Sequence, residues 1–62
     1  MMNLNLHGVT GVEVEEMNVL KGGTVHRVVK IFLEDGNKFE VDLFGETHDK
    51  LKIRSYTLNT IE

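Results

Sequence analysis

Two alternating segments joined by Glu34-Asp35-Gly36-Asn37 constrain this chain more than anything else in it. The first, Val25-His26-Arg27-Val28-Val29-Lys30-Ile31-Phe32-Leu33, is rich in β-branched and aromatic residues. The second, Lys38-Phe39-Glu40-Val41-Asp42-Leu43-Phe44, alternates charged and apolar residues over most of its length. With turn-forming residues between them, Thr24 to Phe44 reads as one long β-hairpin. Its register follows from the pattern. A two-residue loop at Asp35-Gly36 would set Lys30 against Val41 and Ile31 against Glu40, mixing charge with core. A three-residue loop, Glu34-Asp35-Gly36 with Gly36 in the left-handed region, sets Ile31 opposite Phe39, Val29 opposite Val41 and Lys30 opposite Glu40. The second register is expected.

The flanks extend this pattern. Met2, Leu4 and Leu6 alternate with Asn3, Asn5 and His7, which suggests a short strand over Met1 to His7. Gly8 and Gly11 allow a bend or bulge, and Val12 to Leu20 reads as the next strand. Lys21-Gly22-Gly23 is a tight turn that permits two registers, with either Glu13 or Glu15 opposite Lys30. Gly22-Gly23 as the central pair favours Glu15, with Val14 opposite Ile31, because Lys21 resists positive φ. Gly45 to Asp49 makes a polar connection that can hold one helical turn. Leu51-Lys52-Ile53-Arg54 then reads as a further arm, with Leu43 opposite Leu51, Val41 opposite Ile53, Asp42 opposite Lys52 and Glu40 opposite Arg54. In the tail, Tyr56, Leu58 and Ile61 are apolar enough to dock, and the last residues are expected to fray.

The fold class expected is all-β, a four- to five-stranded antiparallel meander. One face carries Val12, Val14, Val29, Ile31, Leu33, Phe39, Val41, Leu43, Leu51 and Ile53. The other carries a row of alternating charge, Glu15 (or Glu13), Lys30, Glu40 and Arg54. A single sheet cannot bury its own apolar face. Curling into a small SH3-like barrel is the first expectation for covering it, and a dimeric sandwich the second.

Sixty-two residues make one small β domain, 1–62, which buries only about 60% of its unfolded surface. Cysteine is absent, so no disulfide staples the fold, and dimerisation is a natural route to stability. The apolar runs are too short to span a bilayer, and the N-terminus has no basic stretch leading into an apolar one. A cytoplasmic protein is expected. Ala, Gln, Pro and Trp are missing too, while Val, Ile and Thr are frequent, which favours strand over helix.

The chemistry expected is sparse. His7, His26 and His48 lack metal-site spacing and have no thiolate to join them. Glu13, Glu15, Glu16, Glu34 and Asp35 sit on strand surfaces or a turn, where no cleft desolvates a carboxyl for acid–base work. Gly22-Gly23 lacks the lysine, hydroxyl and helix of a phosphate loop, and Ser55 has no base partner. No catalytic set, metal site or cofactor is expected, and the chain reads as a non-enzyme. The anomaly is apolar: Met17, Val19, Val28, Phe32 and Phe44 fall on the charged side, with Phe44 opposite His26. Such a patch marks either an interface or a second small core under the N-terminal strand or the tail. Met17, Val28, Phe44, Phe32 and His26 are therefore the candidate partner-binding residues. The alternative is a nucleic-acid-binding barrel using Lys50, Lys52, Arg54 and Tyr56, a basic stripe with one aromatic. The net charge of −3 weighs against it.

Asn3-Leu4-Asn5-Leu6-His7-Gly8-Val9, together with Glu34-Asp35-Gly36-Asn37-Lys38-Phe39-Glu40-Val41, resembles small uncharacterised proteins encoded by tailed bacteriophages and prophages. The resemblance covers about half of the chain and brings no catalytic residues with it. It implies a bacterial host cytoplasm and a non-enzymatic accessory role, such as binding and modulating a host protein.

Overall fold

A computed structural model of the chain describes residues 1–54. Its strands are β1 (Val9–Val14), β2 (Asn18–Val19), β3 (Val25–Leu33) and β4 (Lys38–Gly45), followed by one 3₁₀ turn, His48–Leu51. All the pairing is antiparallel, and β3 is the hub. β4 runs along one edge of β3, while β1 and β2 lie end to end along the other.

The β3–β4 hairpin has the register that its charge pattern demands: Ile31 opposite Phe39, Lys30 opposite Glu40, Val29 opposite Val41. Its loop is Glu34-Asp35-Gly36. The Leu33 amide donates to the Asn37 carbonyl at 2.9 Å, and Gly36 takes φ of 88°. The Asp35 carboxylate ties the loop by accepting from the Asn37 backbone at 2.9 Å and from its side-chain amide at 3.0 Å.

The other flank departs from expectation. Glu13, not Glu15, stands opposite Lys30, and Val14 stands opposite Val29. The turn accounts for one residue of this two-residue shift, and a break in the strand for the other. Lys21 joins Gly22 and Gly23 in a three-residue loop closed by the Leu20 amide on the Thr24 carbonyl at 2.8 Å. Only the glycines take positive φ, 99° and 93°, so Lys21 is spared the strain that the two-residue argument assigned to it. The expected strand from Val12 to Leu20 is also broken. Val14 pairs with Val29 but Asn18 pairs with His26, so one extra residue is absorbed between β1 and β2. An odd insertion reverses the faces. Val19, expected on the charged side, instead lies on the apolar face opposite Val25.

Two expected strands do not form. Met1 to His7 is irregular, and Met2 and Leu4 are exposed. Its alternation relied on asparagine, which favours turns over ladders, and Gly8 at φ of 71° bends the chain as it enters β1. Leu51 to Arg54 does not pair with β4 either. Leu51 ends the 3₁₀ turn and folds back over the sheet, so that a methyl group added at Gly45 would lie 3.2 Å from its Cδ2. The pairings expected beyond it are replaced. Lys52 meets Asp49 at 3.0 Å rather than Asp42, Glu40 meets Lys38 at 3.1 Å rather than Arg54, and Ile53 is exposed. Without these two strands the sheet stays open and does not close into a barrel.

Among the described residues only Val25, 5% exposed, and Leu51, 8% exposed, are buried. Both sit at the end of the sheet that the 3₁₀ turn covers. Among the described residues, no other element lies over the rest of the apolar face.

Candidate interaction surfaces

Strand alternation and the pairing register assign the two faces. The apolar face carries Val25, Val29, Ile31 and Leu33 of β3 with Phe39, Val41 and Leu43 of β4. Val9, Val12 and Val14 of β1 and Val19 of β2 continue it on the other side. Its centre along β3 is half-buried by neighbours in the sheet, whereas its margins are open, with Val12 60% and Val19 73% exposed. Arg27 is the one charged side chain that the register places there. Its Nε donates to the Glu15 carbonyl at 2.7 Å and its guanidinium NH1 to the Leu51 carbonyl at 3.0 Å. The side chain thus latches the break between β1 and β2 to the 3₁₀ turn. Arg27 was missed in the sequence because it interrupts an otherwise apolar alternation on the core side. That interruption, one cation at a core position, was the available signal, since a cation there needs oxygen acceptors close by.

The charged face holds the residues singled out by sequence, and the structure gathers some of them. His26 and Phe44 face each other across β3 and β4, with ring centroids 4.8 Å apart and planes inclined at 31°. The His26 Nε2 lies 2.9 Å from Asp42 Oδ1, which holds the imidazole under the phenyl ring. Phe44 is 63% exposed. Val28, opposite Asp42, is half-buried next to this cluster. Phe32 is half-buried about 13 Å further along the same strand, near Gly11, so it does not join the cluster. Met17 is half-buried in the irregular stretch between β1 and β2.

Electrostatics on this face is local. Lys30 forms an ion pair with Glu15. Its side-chain bond to that carboxylate, reinforced by the Coulombic pull of Glu15, Glu40 and Glu13, raises its pKa above the ordinary 10.5. The Asn37 backbone and side-chain donors lower the pKa of Asp35 below 3.8.

The basic stripe is not a strand surface. Lys50 lies in the 3₁₀ turn, Lys52 is paired with Asp49, and Arg54 follows in irregular chain, while Tyr56 lies outside the described residues. The docking expected of Leu58 and Ile61 also falls outside them. Among the described residues no three His, Asp or Glu side chains gather in a metal-binding group. No helix there is long and apolar enough to cross a membrane. Comparison with protein-family models, with curated proteins and with solved structures gave no match.

Proposed function

We propose that this chain is a non-enzymatic protein-interaction module that works by offering an open β-sheet face to a protein surface. The observation that carries this reading is the apolar face of the sheet, where among the described residues only Val25 and Leu51 are buried. A contiguous apolar surface of this kind favours association, because covering it removes apolar area from water. The His26–Phe44 pair, with Val28, is a second and smaller contact on the opposite side. Met17 and Phe32 would act at its margins. The resemblance to bacteriophage accessory proteins supports a host protein in the bacterial cytoplasm as a partner, alongside self-association.

The reading is tested by affinity capture and sedimentation with wild type, Val12→Glu and Phe44→Glu chains. Wild type should hold a protein partner, either another copy or a different chain, that Val12→Glu loses. Phe44→Glu should lose contacts made by the outer surface alone. Capture and sedimentation profiles unchanged by both substitutions would refute it.

A further inference from the structure

We infer that Asp35 is a site of spontaneous covalent modification, isomerising to isoaspartate through an imide with Gly36 whenever the β3–β4 turn opens. In the folded chain, Asn37 clamps the turn and holds this reaction off. Asp35 is the only Asp or Asn in the sequence that is followed by glycine. Every other one precedes a residue whose side chain hinders attack by the amide that follows it.

The chemistry needs only the chain and water. The Gly36 amide nitrogen gives up its proton and bonds to the Asp35 Cγ. The carboxyl hydroxyl leaves with that proton as water, closing an imide ring. Water then adds to the main-chain carbonyl carbon of Asp35, whose bond to the Gly36 nitrogen breaks as the nitrogen takes a proton back. The chain now runs through Cγ, with a free carboxylate on Cα and no net change in mass or oxidation state.

The folded turn restrains both reacting groups. The Asp35 Oδ1 accepts from the Asn37 backbone amide at 2.9 Å and Oδ2 from its side-chain amide at 3.0 Å. These donors favour the anion, the backbone one most, and hold the Asp35 pKa below 3.8, so the reactive acid form is scarcer. The nucleophile is tied as well. The Gly36 amide donates to the Leu33 carbonyl at 3.1 Å, and swinging it onto Cγ breaks that bond. The Leu33 amide on the Asn37 carbonyl, at 2.9 Å, closes the loop around both groups.

Steric cover adds little. Asp35, Gly36 and Asn37 are exposed. Among the described residues, a methyl group built on Gly36 would meet no atom within 4 Å beyond its chain neighbours. Protection therefore rests on hydrogen bonds, and an exposed turn gives these up more readily than a whole sheet does. The product cannot close the same loop, because the main chain between Leu33 and Asn37 is longer by the Asp35 Cβ. A transient opening becomes a permanent one.

The experiment incubates the purified full chain at neutral pH, folded or in guanidinium chloride, and reads isoaspartate by peptide mapping with electron-transfer fragmentation. Unfolded chain should accumulate it at Asp35, and folded chain at least about tenfold more slowly, since several hydrogen bonds must first open. Asn37→Ala removes the side-chain donor and keeps the backbone one. It should speed the folded reaction about fivefold, the worth of one net hydrogen bond, and leave the unfolded rate within about twofold. Arg27→Lys weakens the other end of the sheet and should change the folded rate by less than about twofold. Gly36→Ala should slow the unfolded reaction several-fold. Equal folded and unfolded rates overturn the clamp, as does an Arg27→Lys chain that reacts as fast as Asn37→Ala. Unfolded chain without isoaspartate at Asp35, or with deamidation of Asn37 in its place, overturns the site.

Discussion

Replacing Arg27 by Met tests how the sheet is held together. Methionine keeps an unbranched stem over the same apolar ground but removes both donors, at 2.7 Å to Glu15 and 3.0 Å to Leu51. A hydrogen bond with one charged partner contributes about 1.5–3 kcal/mol. The bond to Glu15 is exposed and water replaces part of it, while the bond to Leu51 is partly buried. Taking both near the low end, the substitution should cost about 2–3 kcal/mol. A chain of this length has about 3–9 kcal/mol in total, so the loss is a large fraction of its stability. With a urea slope near 1 kcal/mol per molar, the midpoint should fall by about 2–3 M. Urea titration followed by circular dichroism measures this, at one fixed chain concentration because association feeds into stability. Amide exchange should localise the effect, with the Lys52 amide, bonded to the Asp49 carbonyl, losing protection before the β3–β4 ladder. Arg27→Lys retains the charge without the fork, so it should recover less than half of the loss. A midpoint shift below about 0.5 M for Arg27→Met would show that the latch is not what holds the 3₁₀ turn over Val25.

Gly36→Ala, at φ of 88°, should destabilise by about 1–2 kcal/mol with Gly36→Asn milder, measured by the same titration. Asp35 has a folded pKa below its ordinary 3.8, so the unfolded chain binds the proton more tightly. Its contribution should be present above that value and lost as pH falls through the folded one, seen as an advantage over Asp35→Asn that vanishes in acid. Lys30 has the opposite sign: its pKa is raised above 10.5, so its contribution is present below that value and lost as pH rises through the folded value. Glu15→Gln should remove most of this alkaline dependence in a pH series of melting temperatures, leaving the smaller part due to Glu40 and Glu13. Phe44→Ala should change stability by less than about 1 kcal/mol, because the ring is exposed and its contact with His26 is a single aromatic pair.

The central hairpin was legible because two independent signals, alternation and charge pairing across Lys30–Glu40, agreed on one register. The N-terminal flank was less so. Gly22-Gly23 left two registers open, neither with the three-residue loop that forms, and a residue absorbed between Val14 and Asn18 leaves no mark on a run that alternates on both sides of it. Leu51 shows the other limit. Its alternation with Ile53 was strand-like, but a leucine that can settle against a bare Gly45 gains more from that contact than from an unsupported edge pairing. The His26–Phe44 contact followed directly from the correct β3–β4 register. Arg27 did not: its place in the alternation marks a cation that needs acceptors, but spacing does not say that these are the Glu15 and Leu51 carbonyls.

The two interruptions along the β1–β2 edge bear on what the sheet refuses as well as on what it accepts. One bulge sits at Thr10, whose hydroxyl donates to the Phe32 carbonyl at 3.3 Å, and the second lies between Val14 and Asn18. A foreign strand laid along that margin would meet the ladder in phase for only a few residues before falling out of step. The β4 margin is regular, but Lys38, Glu40 and Asp42 alternate along it. An antiparallel copy of β4 paired along nearly its full length, with Lys38 opposite Phe44, would set Glu40 against Asp42 twice. An open, valine-rich sheet would ordinarily be a template for fibrils. Among the described residues, the two bulges on one margin and this charge pattern on the other both work against adding strand to strand.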